Sequence, residues 1–260
     1  SETFSGSSTK SVAGELSNGS ISIPLTAGGN TYNFVGNPYP SSIDWKATSG
    51  WSRLMIVEFN GYNVWIWNDA AGQYGAYNSS SVSDEGTNNA SRYIAPGQAF
   101  FVKAGSAGTL VMTNEVRVHS SQNWLKSDES IPGILRLSVT NSANSYSDEI
   151  MIEFGHQDNL GGSEKFYSFY PTAPNFYSIK NGNNLSINLL SDISENQVIP
   201  LGLIPGVDAS YTIHSNGLET FNKVTLEDKK TGAVTDLKIS SAYNFSAVVG
   251  DDPNRFLLHF

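Results

Sequence analysis

Apolar residues recur at every second position through most of this chain. Leu135, Leu137 and Val139 alternate with polar residues, and residues 256–260 repeat the pattern. Successive side chains of a β-strand point to opposite faces of the sheet, so this spacing is typical of strands with one buried face. No run of ten or more residues shows clear helical spacing. The sequence therefore predicts an all-β protein.

Turn signals separate these alternating runs. The clearest are Asn18-Gly19, Asn181-Gly182, Asn216-Gly217 and Thr231-Gly232. Asn and Gly adopt positive φ at little cost, which tight turns between strands require. The first pair predicts a hairpin between residues 14–16 and 21–23. Many short strands between closely spaced turns favour an antiparallel β-sandwich, jelly-roll-like in its connections.

A polar stretch at residues 120–132 divides the 260 residues into halves. We expect two packed antiparallel β-sandwich subdomains, an aromatic-rich one over residues 1–125 and a second over residues 126–260. The stretch contains Trp124 and Ile131, which prefer burial, unlike the residues of a flexible linker. The two halves are therefore expected to form one rigid unit.

Composition argues against nucleic-acid binding, cysteine chemistry and membrane insertion. The formal net charge of −9 disfavours phosphate backbones, so no nucleic acid is expected. The chain has no cysteine, which excludes a disulfide framework and a thiol nucleophile. No apolar stretch reaches the roughly 18 residues of a membrane span, so no membrane insertion is expected.

An ordered set of motifs carries a family resemblance. The first is Gly36-Asn37-Pro38-Tyr39-Pro40 followed by Asp44-Trp45, and the others lie at residues 64–67, 94–103, 113–119, 226–232 and 250–260. The set resembles the C-terminal β-sandwich region of large secreted Bacteroidetes surface proteins exported by the type IX secretion system. Val116 stands where those proteins usually have Met.

The resemblance implies a location rather than a chemistry. It implies a secreted or outer-cell-surface protein in which adjacent domains accompany this region. It also implies that the second half precedes a sorting domain that is missing from this chain. It implies no catalytic residues.

The proline-rich motif predicts a rigid turn. Pro38 and Pro40 fix φ near −65° and lack N–H donors, so the segment is expected to leave a strand end. We expect the Asp44 carboxylate to accept backbone N–H bonds that hold this turn. A cis peptide bond is expected before Pro40.

Aromatic residues concentrate in the first half. Flat rings can stack on the C–H faces of sugars while polar neighbours bind the hydroxyl groups. Trp65 and Trp67 alternate with aliphatic residues, so we expect them to fill the core. The predicted ligand-binding residues lie instead beside turns and the polar loop at residues 78–91. They are Trp51, Tyr74, Tyr77, Arg92 and Tyr93.

A second candidate site is an Asp-rich turn. Asp251, Asp252 and Asn254 surround a proline and could supply oxygen ligands to calcium. The alternative is a turn that caps its own backbone, which is more common for Asp-rich segments.

These features favour an extracellular, non-catalytic adhesin or accessory module that binds a polysaccharide or cell-surface glycan. The chain lacks the GxSxG, P-loop and HExxH motifs of hydrolases, nucleotide-binding proteins and zinc proteases. Two alternatives stay open. One is a jelly-roll polysaccharide lyase or other glycan-degrading enzyme, and the other is a structural spacer that presents neighbouring domains.

Overall fold

The computed structural model describes residues 14–28, 31–56, 61–119, 133–156, 161–192 and 197–260. Within these ranges the regular structure is β apart from one 3-10 turn, Asn114–Val116. The prediction of an all-β, sandwich-like class is confirmed. The stretch at 120–132, with Trp124 and Ile131, lies outside the described residues, and the rigid linkage expected from it stays a prediction.

The first half folds into small antiparallel sheets around one core. Its described strands are β1 (Ile21–Leu25), β2 (Tyr32–Gly36), β3 (Ser42–Asp44), β4 (Trp51–Ser52), β5 (Asn63–Asn68), β6 (Gln73–Asn78), β7 (Tyr93–Ile94), β8 (Ala99–Lys103), β9 (Gly108–Met112) and β10 (Arg117–Val118). Their orders are β2-β8-β5-β6, β1-β9-β4 and β10-β3-β7. The inner faces meet in a core that includes Tyr39, Ile43, Trp45, Val64, Tyr77, Phe100 and Leu110.

The second half is one continuous sheet that curls around its own core. Its described strands are β11 (Ile134–Asn141), β12 (Ser147–Glu153), β13 (Gly162–Glu164), β14 (Asn175–Lys180), β15 (Asn183–Leu189), β16 (Val198–Ile204), β17 (Ala209–Asn216), β18 (Thr225–Asp228), β19 (Ala233–Asp236), β20 (Ala242–Ala247) and β21 (Phe256–His259). The order is β19-β18-β21-β16-β14-β15-β12-β11-β17-β20, with β13 beside β15. Among these pairs β12–β15 is parallel, whereas antiparallel pairing was expected throughout.

Two of the predicted turns, Asn181-Gly182 and Thr231-Gly232, join neighbouring strands. Asn181 and Gly182 have φ of 53° and 78° and connect β14 to β15, as a two-residue hairpin with both central residues at positive φ requires. The hairpin predicted at Asn18-Gly19 is wrong. Ile21 pairs instead with Met112, so β1 finds its partner far along the chain.

The proline-rich turn is held by side chains. The side-chain amide nitrogen of Asn37 donates to nearby backbone carbonyl oxygens, among them the Ile94 carbonyl oxygen at 3.1 Å. Its carbonyl oxygen accepts the Tyr39 N–H at 3.0 Å. Asp44 does accept a backbone N–H, that of Lys46 at 2.9 Å, but this bond caps the turn after β3 and not the proline-rich turn that it was expected to hold. The described residues contain no cis peptide bond, so the cis bond expected before Pro40 is wrong.

The two halves meet along an apolar junction. The residues that form it are Trp65, Ala76, Ile134, Met151, Ile187 and Leu189. The indole N–H of Trp65 donates to the Glu164 carbonyl oxygen at 2.9 Å. The Glu164 carboxylate accepts the Tyr32 hydroxyl and the Lys103 ammonium, each at 2.7 Å. Burial at the junction explains why Trp65 fills a core, as the sequence predicted.

A buried ion pair stabilises the second half where β18 lies beside β21. The Arg255 guanidinium donates to both carboxylate oxygens of Asp228, at 2.8 and 2.7 Å. The Tyr243 hydroxyl and the Lys230 N–H donate to the same carboxylate at 2.9 and 3.0 Å. Burial raises the pKa of the Asp228 carboxyl, but these hydrogen bonds outweigh it and lower the pKa to about 2.

Replacing this carboxylate tests its contribution. We expect Asp228→Asn to lower the free energy of unfolding by about 3–5 kcal/mol, because a buried Arg255 loses its charge partner. The pKa of Asp228 is lower in the folded state than the ordinary value of about 3.9. Its stabilisation is therefore complete above about pH 4 and lost as the pH falls towards 2. Urea denaturation across this pH range measures both effects.

The matched control is Asp192→Asn, which removes an exposed carboxylate. It should leave the unfolding free energy within about 0.5 kcal/mol of wild type. If the Asp228→Asn variant loses stability in acid as steeply as wild type does, the assignment to Asp228 is wrong.

Candidate ligand-binding cleft

A cleft of about 470 Å³ opens beside the β5–β6 hairpin of the first half. Its walls combine aromatic rings, side-chain amides and carboxylates. The side chains that supply these groups are Trp67, Tyr93, Asn68, Asn88, Asn89, Gln98, Asp69, Glu85 and Glu149. Glu149 belongs to β12, so the second half completes the cleft.

The aromatic wall is fixed by stacking. Trp67, at the end of β5, stacks on Phe169 with ring centroids 3.9 Å apart and an interplanar angle of 26°. Phe169 comes from the second half and is 58% exposed. Tyr93 is half-buried, and the Arg92 guanidinium lies 5.2 Å from its ring centroid. The rings of Trp67 and Tyr93 are therefore fixed by their neighbours and remain partly accessible to solvent in the cleft.

The amide wall has an unusual backbone. Asn88 and Asn89 both adopt left-handed conformations, with φ of 47° and 63°. Such conformations are uncommon outside glycine, and asparagine tolerates them best. Asn88 is locked in place, since its N–H donates to Glu149 Oε2 and its amide donates to Asp148 Oδ1, both at 2.9 Å. Backbone strain of this kind often occurs at binding sites.

A glycine lets this loop lie against β6. A Cβ built on Gly86 would lie 1.8 Å from the Ala76 carbonyl oxygen, so no larger residue fits there. Thr87 continues the contact, with its N–H donating to the same oxygen at 2.9 Å. The Thr87 hydroxyl accepts the Ala76 N–H at 3.1 Å. The loop is thus fastened to a strand on one side and to Asp148 on the other.

The carboxylates of the cleft differ in their partners. Asp69 accepts the Tyr170 hydroxyl at 3.1 Å, and Glu149 accepts the Asn88 N–H. Within the described residues, the carboxylate of Glu85 and the exposed side-chain amide of Asn89 make no hydrogen bond. These two groups are available to a ligand, one as an acceptor and the other as both donor and acceptor.

The predicted ligand-binding residues do not all reach this cleft. Tyr93 lines it, as expected. Arg92 lies beside it, but its guanidinium donates to Asp44 at 2.5 and 2.9 Å and to Asp84 at 2.9 Å. These bonds raise the pKa of Arg92 and commit it to holding the Asp44 turn. Arg92 therefore holds this turn, and the ligand contact expected of it stays a prediction.

Two predicted aromatics belong to the core instead. Tyr77 is fully buried and belongs to the core of the first half, and the other residues of β6 from 75 to 78 are buried as well. Burial raises the pKa of its hydroxyl. Trp51 is half-buried against the core, 4.8 Å from the Trp45 ring, and its indole N–H donates to the Asp44 carbonyl oxygen at 2.9 Å. The expectation that both project from turns as exposed rings is wrong.

Tyr74 and Trp67 reverse their expected positions. Tyr74 is half-buried in the junction, 4.5 Å from the ring of Phe166, and does not line the cleft. Trp67, expected in the core, lies at the half-buried end of β5 and lines it. The sequence held one signal for this, since Asn68 and Asp69 follow Trp67 and mark a strand end.

The Asp-rich turn does not fit a calcium site well. Asp251 Oδ2 lies 2.6 Å from the Lys230 ammonium and 3.9 Å from the Arg255 guanidinium. Asp252 caps the backbone N–H of Asn254 at 2.9 Å, the alternative that the sequence left open. No group of three or more acidic or histidine side chains arranged for a metal occurs in the described part of the chain. Calcium stays an untested prediction.

Two buried tyrosines, Tyr77 and Tyr39, differ in whether their hydroxyl groups are hydrogen-bonded, and this difference can be tested by mutation. The Tyr77 hydroxyl has no hydrogen-bond partner among the described residues, whereas the Tyr39 hydroxyl contacts carbonyl oxygens at 2.6 and 2.9 Å. We expect Tyr77→Phe to keep or raise the free energy of unfolding, because it removes an unsatisfied polar group. Tyr39→Phe should lower it by about 0.5–1.5 kcal/mol.

Chemical denaturation of both variants measures the difference. A loss of more than about 1 kcal/mol in Tyr77→Phe would show that this hydroxyl is bonded, for instance through buried water.

The comparisons with known proteins place the chain in a family without assigning it a role. No curated protein and no solved structure matches it. Among the described residues, no helix is long and apolar enough to span a membrane. The match that was found covers residues 1–260, and the chain therefore belongs to the family described as a domain of unknown function, DUF8693.

Proposed function

We propose that this chain is a non-catalytic glycan-binding module that uses the cleft beside β5 and β6. The observation that carries the proposal is one concave surface that combines Trp67 and Tyr93 with the side chains of Asn89 and Glu85, which have no partner among the described residues. This combination suits a sugar, since its C–H faces can stack on rings and its hydroxyl groups can bond to amides and carboxylates.

The arrangement of the walls supports the proposal further. Trp67 is stacked on Phe169, and Asn88 is hydrogen-bonded on several sides, so the cleft is organised before a ligand arrives. Binding then orders few additional side chains, which lowers its entropic cost. Small-ligand sites commonly combine a ring-lined concavity with a few fixed polar groups.

The wider setting is proposed from the sequence motifs. Their resemblance to Bacteroidetes surface proteins of the type IX pathway supports a secreted or cell-surface location. A glycan-binding module there would serve adhesion, with a polysaccharide or cell-surface glycan as partner and other domains beside it.

One observation favours an enzymatic alternative. Glu85 and Glu149 line the same cleft, and glycoside hydrolysis uses two carboxylates. Glu149 is bonded to the Asn88 N–H and faces Arg136 at 3.5 Å, while Glu85 has no described partner. Chromatography of oligosaccharides incubated with the protein separates the two functions, because a binding module returns them unchanged. Absorbance of unsaturated sugar ends tests for a lyase.

Removing the Trp67 ring tests the site. We expect Trp67→Ala to weaken glycan binding by roughly 1–3 kcal/mol, by analogy with the stacking of bases on aromatic side chains. Phe34→Ala is the control, because Phe34 is an exposed ring (68% exposed) that does not line the cleft. Titration calorimetry on a glycan found by array screening measures both. Equal affinities of the two variants would place the binding site elsewhere.

A second test removes one amide without disturbing the backbone. Asn89→Gly keeps the left-handed conformation, which glycine adopts without strain. Losing the hydrogen bonds of this amide should weaken binding by about 0.5–1.5 kcal/mol while the melting temperature changes little. Asn181→Gly is the matched control, since Asn181 has a φ of 53° in the β14–β15 turn. A similar loss of affinity in both variants would contradict a role for Asn89.

A further inference from the structure

The charge of the cleft is one-sided. Its lining includes the carboxylates of Asp69, Glu85 and Glu149, and none of the described residues that line it is Lys or Arg. A cleft with one sign of charge and low-dielectric walls focuses its field on whatever enters. The chain as a whole carries a net charge of −9, which acts in the same direction.

Two arginines beside the cleft are bonded to groups of the protein. Arg92 is bound to Asp44 and Asp84, at 2.5 and 2.9 Å. Arg136 donates to the Gly86 carbonyl oxygen at 2.7 Å and lies 3.5 Å from Glu149. Arg136 thus offsets part of the charge of Glu149, while the charges of Asp69 and Glu85 have no cationic partner among the described residues.

Glu85 is the carboxylate best placed to act on a ligand. Its backbone is fixed, because its N–H donates to the Ser83 hydroxyl at 3.0 Å and it forms a β-bridge with Ser91. Its side chain is half-buried in the cleft wall and has no hydrogen bond or ion pair within the described residues. A held carboxylate without a protein partner accepts hydrogen bonds from hydroxyl or ammonium groups and repels other carboxylates.

On the basis of the proposed glycan-binding role, we infer that the cleft selects amine-bearing sugars over neutral ones and neutral sugars over acidic ones, with Glu85 as the specificity-determining residue. An ammonium group adds a charge-assisted hydrogen bond to the contact that a neutral hydroxyl makes. A uronic acid or sulfate group places a like charge beside unneutralised carboxylates. The affinity should fall by roughly fivefold or more from amine-bearing to neutral sugars, and again from neutral to acidic sugars, at low ionic strength.

The experiment is a glycan array that carries amino, neutral and uronic-acid forms of the same hexose backbones. Wild-type protein should bind the three forms in that order, and higher salt should reduce the spread because it screens the charges. Glu85→Gln keeps the shape and hydrogen-bonding capacity of the side chain and removes its charge. The variant should lose the preference for amino forms and gain affinity for uronic-acid forms.

A matched control separates a local effect from net charge. Glu115→Gln removes the same charge from an exposed side chain of the 3-10 turn Asn114–Val116, outside the cleft. It should leave the order of the three forms unchanged. If Glu115→Gln shifts the order as much as Glu85→Gln does, the role given to Glu85 is wrong.

The array also distinguishes the two levels of the proposal. Binding of uronic-acid forms as tightly as amino forms overturns the inferred selectivity and leaves glycan binding in place. Failure of the folded wild-type protein to bind any glycan of the three classes overturns the proposed function itself, and the selectivity with it.

Discussion

The buried carboxylate of Asp148 joins the two halves and positions the cleft. Its Oδ2 atom accepts the Lys165 ammonium at 2.5 Å and the Phe176 N–H at 2.6 Å. Its Oδ1 atom accepts the Asn88 amide and the Glu149 N–H, both at 2.9 Å. Burial lowers the pKa of Lys165, so the pair is tolerated only because every oxygen of the carboxylate is well satisfied. One carboxylate thereby ties a loop of the first half to strands of the second.

Local features of the structure could be predicted from the sequence, and long-range pairing could not. Alternation located strands such as β11, and Asn181-Gly182 located a hairpin, because both depend on neighbouring residues. The pairing of Ile21 with Met112 depends on which strand of the folded sheet has an unpaired edge, and no local sequence pattern encodes the identity of that strand. Likewise the cleft combines Trp67, a loop twenty residues later and Glu149 from the other half.

The motifs that carry the family resemblance mostly hold turns. Asn37 fastens the proline-rich turn, and Asp44 pairs with Arg92 at the next loop. Asp228 pairs with Arg255 in the second half in the same manner. Among these residues Arg92 was predicted to bind a ligand, because polar side chains beside turns serve both purposes. Burial and hydrogen-bond partners decide between the two, and a sequence shows neither.

The place of β21 in the second sheet has a consequence for how the chain folds. This strand lies between β18 and β16, both of which precede it in the sequence. Until residues 256–259 are in place, no described strand pairs the β18–β19 hairpin with the rest of the sheet. Contacts of such long range form late and slowly, since their loops must close before they stabilise anything. During folding, Leu226 would thus lack its cross-strand partner Leu258, and this part of the core would stay open, until residues 256–259 join the sheet.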